Sequence, residues 1–258
     1  MKKHYVTTLF IIIFLNGCAS SDKTSNLDNT DSVDTIYQQA TIALEQEDYQ
    51  AALTHYQDIE SRFPFGEYAQ QALLNSAYAH YKSDEPESAL AKIDRFIRVY
   101  PQHKNLDYAI YLRGLINFTK DEGIVERYIG HDETQRDPGA AEYSLQDFTQ
   151  LINRFPTSRY SEDASQRIVY LRNRLAQYEI NVAHFYLRRS AYIAALNRCK
   201  YVIEHYQRTP AVPEALVLAT KLYKIMALED LANDTQRVLL ENHPDYVKSH
   251  NLDITLVD

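Results

Sequence analysis

Cysteine, histidine and carboxylate side chains are where this chain could do covalent or acid–base chemistry, and their spacing supports little of it. Cys18 and Cys199 are the two cysteines, too far apart in sequence to form a C-x-x-C redox or zinc pair. His131-Asp132-Glu133 offers metal-ligating types, but no second His stands nearby, so the triplet reads as a solvated loop. Asp84, Glu85 and Glu87 surround Pro86, which suits a helix start better than an acid and a base. G-x-S-x-G, H-E-x-x-H and phosphate-cradling glycine loops do not occur, and six glycines are few for a nucleotide fold. The expectation is a protein that is not an enzyme and uses no cofactor or metal, with its function in its surfaces.

Cys18 closes a different pattern. Lys2 and Lys3 precede an apolar run over residues 6–15, half the roughly 20 residues that a membrane span requires. Leu15-Asn16-Gly17 then leads into the cysteine, so residues 1–17 read as a signal peptide. The segment resembles a bacterial lipoprotein signal, in which cleavage falls before a Cys that carries a diacylglyceryl thioether and is then acylated on its new amino group. That resemblance implies lipidation, palmitate included, at Cys18, and each buried methylene contributes about 0.8 kcal/mol of anchoring. Ala19, not Asp, follows the cysteine, which by the same resemblance implies the periplasmic leaflet of the outer membrane. Residues 19–32, rich in Ser, Asp, Thr and Asn, read as a flexible tether that reaches roughly 45 Å at about 3.3 Å per residue.

Loss of Lys2 and Lys3 would take the formal charge from −8 to −10, which disfavours nucleic acid as a partner. With Cys18 acylated, Cys199 has no disulfide partner and the fold must rest on its core.

The elements that position any surface are set by a recurrent joint. Phe63-Pro64 is followed by Ala72, Tyr100-Pro101 by Ala109, Phe155-Pro156 by Ala164 and Tyr206 by Ala215, with His243-Pro244 a reduced fifth copy. Proline lacks the backbone donor and collides with the preceding turn, so each joint ends one helix and opens the next. Joints 63 and 100 lie 37 residues apart, as do 206 and 243, close to the period of a tetratricopeptide helix pair. The predicted fold is all-α, a right-handed tetratricopeptide superhelix of five helix pairs over residues 33–69, 70–104, 105–158, 159–209 and 210–244, about ten helices, with a fraying polar tail over 245–258.

Within these units Ala40, Ala52, Tyr56, Ala77, Ala89, Gly114, Ala183, Ala195 and Ala232 fall where helices cross closely, and Asp48 is placed to cap a helix. The third unit is long by an insertion over residues 121–136. The fourth is long by a first helix over residues 161–188.

Two surfaces follow. On the first helix of each pair, Tyr37 and Leu44, then Leu74, Tyr78 and Tyr81, then Tyr108, Tyr111, Leu115 and Phe118 point inward, either as a peptide groove or as packing against the next repeat. Between residues 165 and 200, Arg167, Arg172, Arg174, Arg188, Arg189, Arg198 and Lys200 face a single acid, Glu179, which suits an acidic partner or a solvated face.

Arg62-Phe63-Pro64-Phe65-Gly66, Ile93-Asp94-Arg95-Phe96-Ile97-Arg98, Tyr111-Leu112-Arg113-Gly114-Leu115, Arg136-Asp137-Pro138 and Arg174-Leu175-Ala176-Gln177-Tyr178-Glu179, following the lipoprotein cysteine, carry a further resemblance. Over residues 15–245 the chain resembles the BamD family of outer-membrane β-barrel assembly lipoproteins. The resemblance implies a periplasmic scaffold whose partners are the POTRA domain of the barrel-forming subunit, accessory lipoproteins and unfolded outer-membrane proteins. It implies that the N-terminal repeats receive an aromatic-ended signal, and that the C-terminal half docks on the POTRA domain with Arg198 in that contact. The alternative is another periplasmic tetratricopeptide adaptor, for example one that gathers cell-wall hydrolases.

Overall fold

The computed structural model describes residues 32–122 and 137–250. Within them the chain is all-α, a run of antiparallel helix pairs. These are α1 (Val33–Glu45) with α2 (Tyr49–Arg62), α3 (Glu67–Lys82) with α4 (Pro86–Val99), α5 (Leu106–Glu122) with α6 (Gly139–Arg154), α7 (Ser161–Arg188) with α8 (Tyr192–His205), and α9 (Val212–Ile225) with α10 (Glu229–Asn242). Each helix packs on its sequence neighbours, and first helices also touch across pairs, α1 on α3, α3 on α5 and α7 on α9. This is the helix-turn-helix stacking of a tetratricopeptide array. The signal segment, Cys18, the tether and most of the 121–136 insertion, with His131-Asp132-Glu133, lie outside the described residues; α5 runs two residues into the insertion.

The joints work as their residue types require. Phe63, Tyr100, Phe155, Tyr206 and His243 each occupy a helix C-cap with φ between −114° and −134°, and each backbone N–H donates to the carbonyl four residues back. Ala72, Ala109, Ala164 and Ala215 have no exposed surface, so the nine-residue interval places a methyl group where the next first helix crosses its neighbours.

Turns within pairs use another device. Glu47, Asp84, Ser190 and Ala227 adopt φ between 56° and 60°, and the residue after each donates its N–H to the carbonyl five residues back: Asp48 to Ala43, Glu85 to His80, Ala191 to Tyr186 and Leu228 to Tyr223. These are Schellman closures built without glycine. Asp48 then caps α2, its Oδ1 accepting from Ala51 N at 3.0 Å. Asp48→Ala is expected to lower stability by about 1 kcal/mol, read as an earlier denaturant midpoint.

Three apolar clusters follow the chain, one around Tyr56, one around Ile93 and Phe96, and a larger one around Phe148, Leu171 and Leu175. Two expectations need correction. The C-terminal segment does not simply fray after Pro244, because that proline opens a short helix α11 (Pro244–Ser249), in which Tyr246 stacks on His250 at 4.0 Å. The helix start expected around Pro86 is there, but its carboxylates do not cap it through their side chains: Glu85, at the N-cap, holds His80 Nδ1 at 2.7 Å, and Glu87, in the first turn, pairs with Lys120 at 2.9 Å.

Candidate interaction surfaces

The inner row of first helices divides into a part that is consumed by packing and a part that is not. Tyr37, on α1, lies between Tyr56 and Tyr68 with ring centroids 6.3 and 5.3 Å away. The Asn75 amide donates to both the Tyr37 and Tyr56 hydroxyls, at 3.3 and 3.1 Å, and burial pushes the Tyr56 phenol up to about 12. Gln71 Nε2 donates to Asn75 Oδ1 at 2.9 Å, so an amide pair one helical turn apart ties α1, α2 and α3 together. The aromatic pattern did not point to these amides, although their i, i+4 spacing on a first helix was a usable signal.

On α5 the inward aromatics serve the next repeat. Tyr111 stacks on Tyr160 at 4.7 Å and 17°, and its hydroxyl donates to Asp163 at 2.7 Å. Burial, then that carboxylate, pushes the Tyr111 phenol up to about 12. Tyr108 lies 5.4 Å from Tyr160, Leu115 packs on the same cluster, and Phe118 sits between Tyr170 and the Arg167 guanidinium. Leu74 has no exposed surface, so it belongs to the core and not to a groove, because α3 turns that side toward the Ile93 and Phe96 cluster. Tyr78 and Tyr81 remain, half-buried against the same cluster.

Much of the basic stretch is engaged from within, Arg167 and Arg198 by carboxylates and Arg172 by backbone carbonyls. Arg167 pairs with Asp163 at 2.6 Å, and Arg172 donates to the His205 and Gln207 carbonyls at the end of α8. Arg174 is only 8% exposed, with burial depressing its pKa, so it cannot face a partner as expected of a docking residue; it is part of the α7 interior. Arg198 Nη1 reaches Glu179 Oε2 at 3.1 Å, and that carboxylate is itself buried.

What reaches solvent is a smaller constellation. Arg188 and Arg189 are exposed at the end of α7, with Arg189 lying 4.2 Å above the Phe185 ring. Tyr186, Ala194, Asn197, Arg198 and Tyr201 line a groove of about 310 Å³, and Ile193, next to Ala194 in the chain, is 69% exposed. An aromatic and aliphatic rim around an arginine whose counter-charge is buried resembles the centre of a protein interface. Among the described residues no cluster of His, Cys, Asp and Glu could hold a metal, and no helix is long and apolar enough to cross a membrane.

Residues 29–239 match a family described as "YfiO: Outer membrane lipoprotein". The chain is 42% identical over 247 residues to the "Outer membrane protein assembly factor BamD" of Neisseria meningitidis serogroup B, covering 95% of this chain and 92% of that one. Assembly factors of the same description from Xylella fastidiosa (strain Temecula1) and Vibrio cholerae are 35% and 34% identical, covering 92% and 94% of this chain and 81% and 99% of theirs. Two solved tetratricopeptide repeat proteins, from Parabacteroides merdae and Thermus thermophilus, have TM-scores of 0.42 and 0.39 at 16% identity, covering 88% and 85% of this chain and 84% and 96% of theirs.

Proposed function

This chain belongs to the YfiO family of outer membrane lipoproteins, and from that premise we propose a non-enzymatic, lipid-anchored scaffold with two separate contact faces. Its role lies in outer membrane protein assembly, as for the BamD factors to which it is similar. In the proposed arrangement, acylation of Cys18 holds the solenoid at the periplasmic leaflet of the outer membrane. The C-terminal half docks on the POTRA domain of the barrel-forming subunit, with accessory lipoproteins alongside, and the N-terminal repeats receive unfolded barrel proteins.

The observation that carries the docking half is the groove around Arg198. Its guanidinium lies over a buried Glu179, with Tyr186, Ala194 and Tyr201 lining the same groove, a polar anchor beside apolar area. For the receiving face, Tyr37 is taken up by Tyr56 and Tyr68, and Tyr108 and Tyr111 by Tyr160, which leaves Tyr78 and Tyr81, whose half-buried rings suit an aromatic side chain.

Capture of the barrel-forming subunit from detergent-solubilised membranes tests the reading. Capture should weaken as salt rises, and Arg198→Glu should sharply reduce it and flatten that salt dependence, whereas Tyr78→Ala with Tyr81→Ala should leave capture intact and weaken binding of a peptide from a barrel protein's C-terminus. Capture that is indifferent to Arg198→Glu in a folded variant rejects the docking face, and unchanged peptide affinity rejects the receiving face.

A further inference from the structure

Each second helix ends at a joint, so positions counted back from the joint are equivalent in all five pairs. Ten residues before the first four joints stand Leu53, Leu90, Leu145 and Leu196, and seven before them stand Tyr56, Ile93, Phe148 and Cys199. The latter four have no exposed surface, because the next first helix covers them. The Asn75 amide of α3 donates to the Tyr56 hydroxyl, and the other three share apolar clusters with residues of α5, α7 and α9. Before the fifth joint, at His243, the same two positions hold Asn233 and Gln236. A row that is apolar in four repeats is polar in the last, which only the short α11 follows among the described residues.

Those amides are not satisfied by their surroundings. Gln236 has no exposed surface, yet its Oε1 and Nε2 both lack a hydrogen-bond partner among the described residues, as does Asn233 Oδ1. Turning the two amides toward each other would pair Asn233 Oδ1 with Gln236 Nε2 and still leave Gln236 Oε1 without a donor. A buried amide left unpaired carries a cost that a leucine in its place would not. Leu240, one turn beyond Gln236 on the same side of α10, is half-buried. The row therefore calls for a neighbour that sets hydrogen-bonding groups beside apolar ones. Residues 251–258 have that pattern at helical spacing: Asn251 and Thr255 stand one turn apart, and Leu252 and Leu256 form the adjoining row.

We propose that residues 251–258 fold back along α10 as a helix and close the end of the array, with Asn251 and Thr255 hydrogen-bonded to Asn233 and Gln236 and with Leu252 and Leu256 against Leu240. α11 already carries the chain onto this face. It packs on α10, and Tyr246 lies near Glu214 in the first turn of α9, as Tyr68 of α3 lies on Asp34 of α1. The eight residues span about 12 Å as a helix, and Gln236 lies about 10 Å back along α10 from the joint. Asp253, Ile254, Val257 and Asp258 then face outward, a mixed surface like that of α10, where Leu231 and Val238 are exposed among acids. A segment tethered this closely acts at an effective concentration on the order of millimolar, which favours it over a second copy or a separate partner. The Arg198 groove, formed by α7 and α8, is not part of this end, so the inference stands apart from the docking reading. Closing the last repeat also keeps the array from stacking end to end.

A double-mutant cycle between Gln236 and the tail tests this, with urea denaturation of the full chain and of a chain stopped after His250. With the tail present, Gln236→Leu is expected to lower the urea midpoint, because it strands the polar groups of the tail. Without the tail, the same change is expected to raise the midpoint, because leucine then replaces an unpaired amide. Asn233→Leu, which installs the residue of the four earlier repeats, should reverse sign in the same way, and it carries the test if circular dichroism finds Gln236→Leu misfolded. Backbone amides of residues 233–242 should also exchange faster with solvent when the tail is removed. Equal midpoint shifts in the two chains, of either sign or none, overturn the proposal, since the tail then makes no difference to the amides. A sign reversal that disappears on dilution gives the face to a second copy and overturns the fold-back.

Discussion

Asp147→Ala is expected to lower the unfolding free energy by about 3 kcal/mol, because it strands a guanidinium that the fold has largely removed from water. Asp147 is 4% exposed on α6, and Arg113 on α5 reaches its Oδ1 at 2.6 Å, while the buried Asn117 amide donates to its Oδ2 at 3.1 Å. Asp94 on α4 holds the other side of Arg113 at 3.1 Å but is itself half exposed, so it screens the loss only in part. Burial, the dominant influence, raises the Asp147 pKa even though Arg113 and Asn117 pull it down. A raised folded-state pKa means that the fold tolerates the ionised carboxylate less well than water does. Arg113→Met with Asp147→Leu should therefore recover most of the loss, since the apolar pair avoids both desolvation penalties. Urea denaturation of the two variants decides the matter. A loss below about 1 kcal/mol for Asp147→Ala would mean that water or Asp94 already satisfies Arg113.

The contrast between what was legible and what was not follows from range along the chain. Joints were legible because proline and a C-cap aromatic act on their own backbone, and the alanine nine residues on lies within the same local unit. The 28-residue α7 followed from the 51-residue interval between Phe155 and Tyr206. Turns within pairs escaped, since Glu47, Asp84, Ser190 and Ala227 hold the left-handed conformation where glycine would have announced it. The surfaces were legible only in outline. Tyr111 and Phe118 look like groove residues until Tyr160, Arg167 and Tyr170 are brought against them from the next repeat. Asp163, the partner of Arg167, lies just ahead of the basic stretch, and nothing in the local sequence around Glu179 shows that it sits under Arg198. Periodicity assigns a face to a side chain but does not say what comes to cover it.

Gly114→Val is expected to cost about 3 kcal/mol, and the reason is a single ring. A Cβ at Gly114 would stand 2.7 Å from Phe148 Cε1 and 2.9 Å from Cδ1, closer than real Cβ contacts come, and Phe148 has no exposed surface into which it could move. The Ser144 hydroxyl donates to the Gly114 carbonyl at 2.9 Å on the same side, so α5 and α6 meet there backbone to side chain. Gly114→Ala faces the same overlap but gains about 1 kcal/mol of helix propensity, so its net loss should be smaller. Phe148→Ala alone should cost about 3–5 kcal/mol by opening a cavity in the largest cluster. If the close approach is what matters, the two changes compensate: Gly114→Val with Phe148→Ala should lose about 1–3 kcal/mol less than the sum of the single variants, because the valine methyls occupy vacated ring space. Additive losses in chemical denaturation would show that the glycine is required for another reason, and that the α5–α6 spacing does not depend on Phe148.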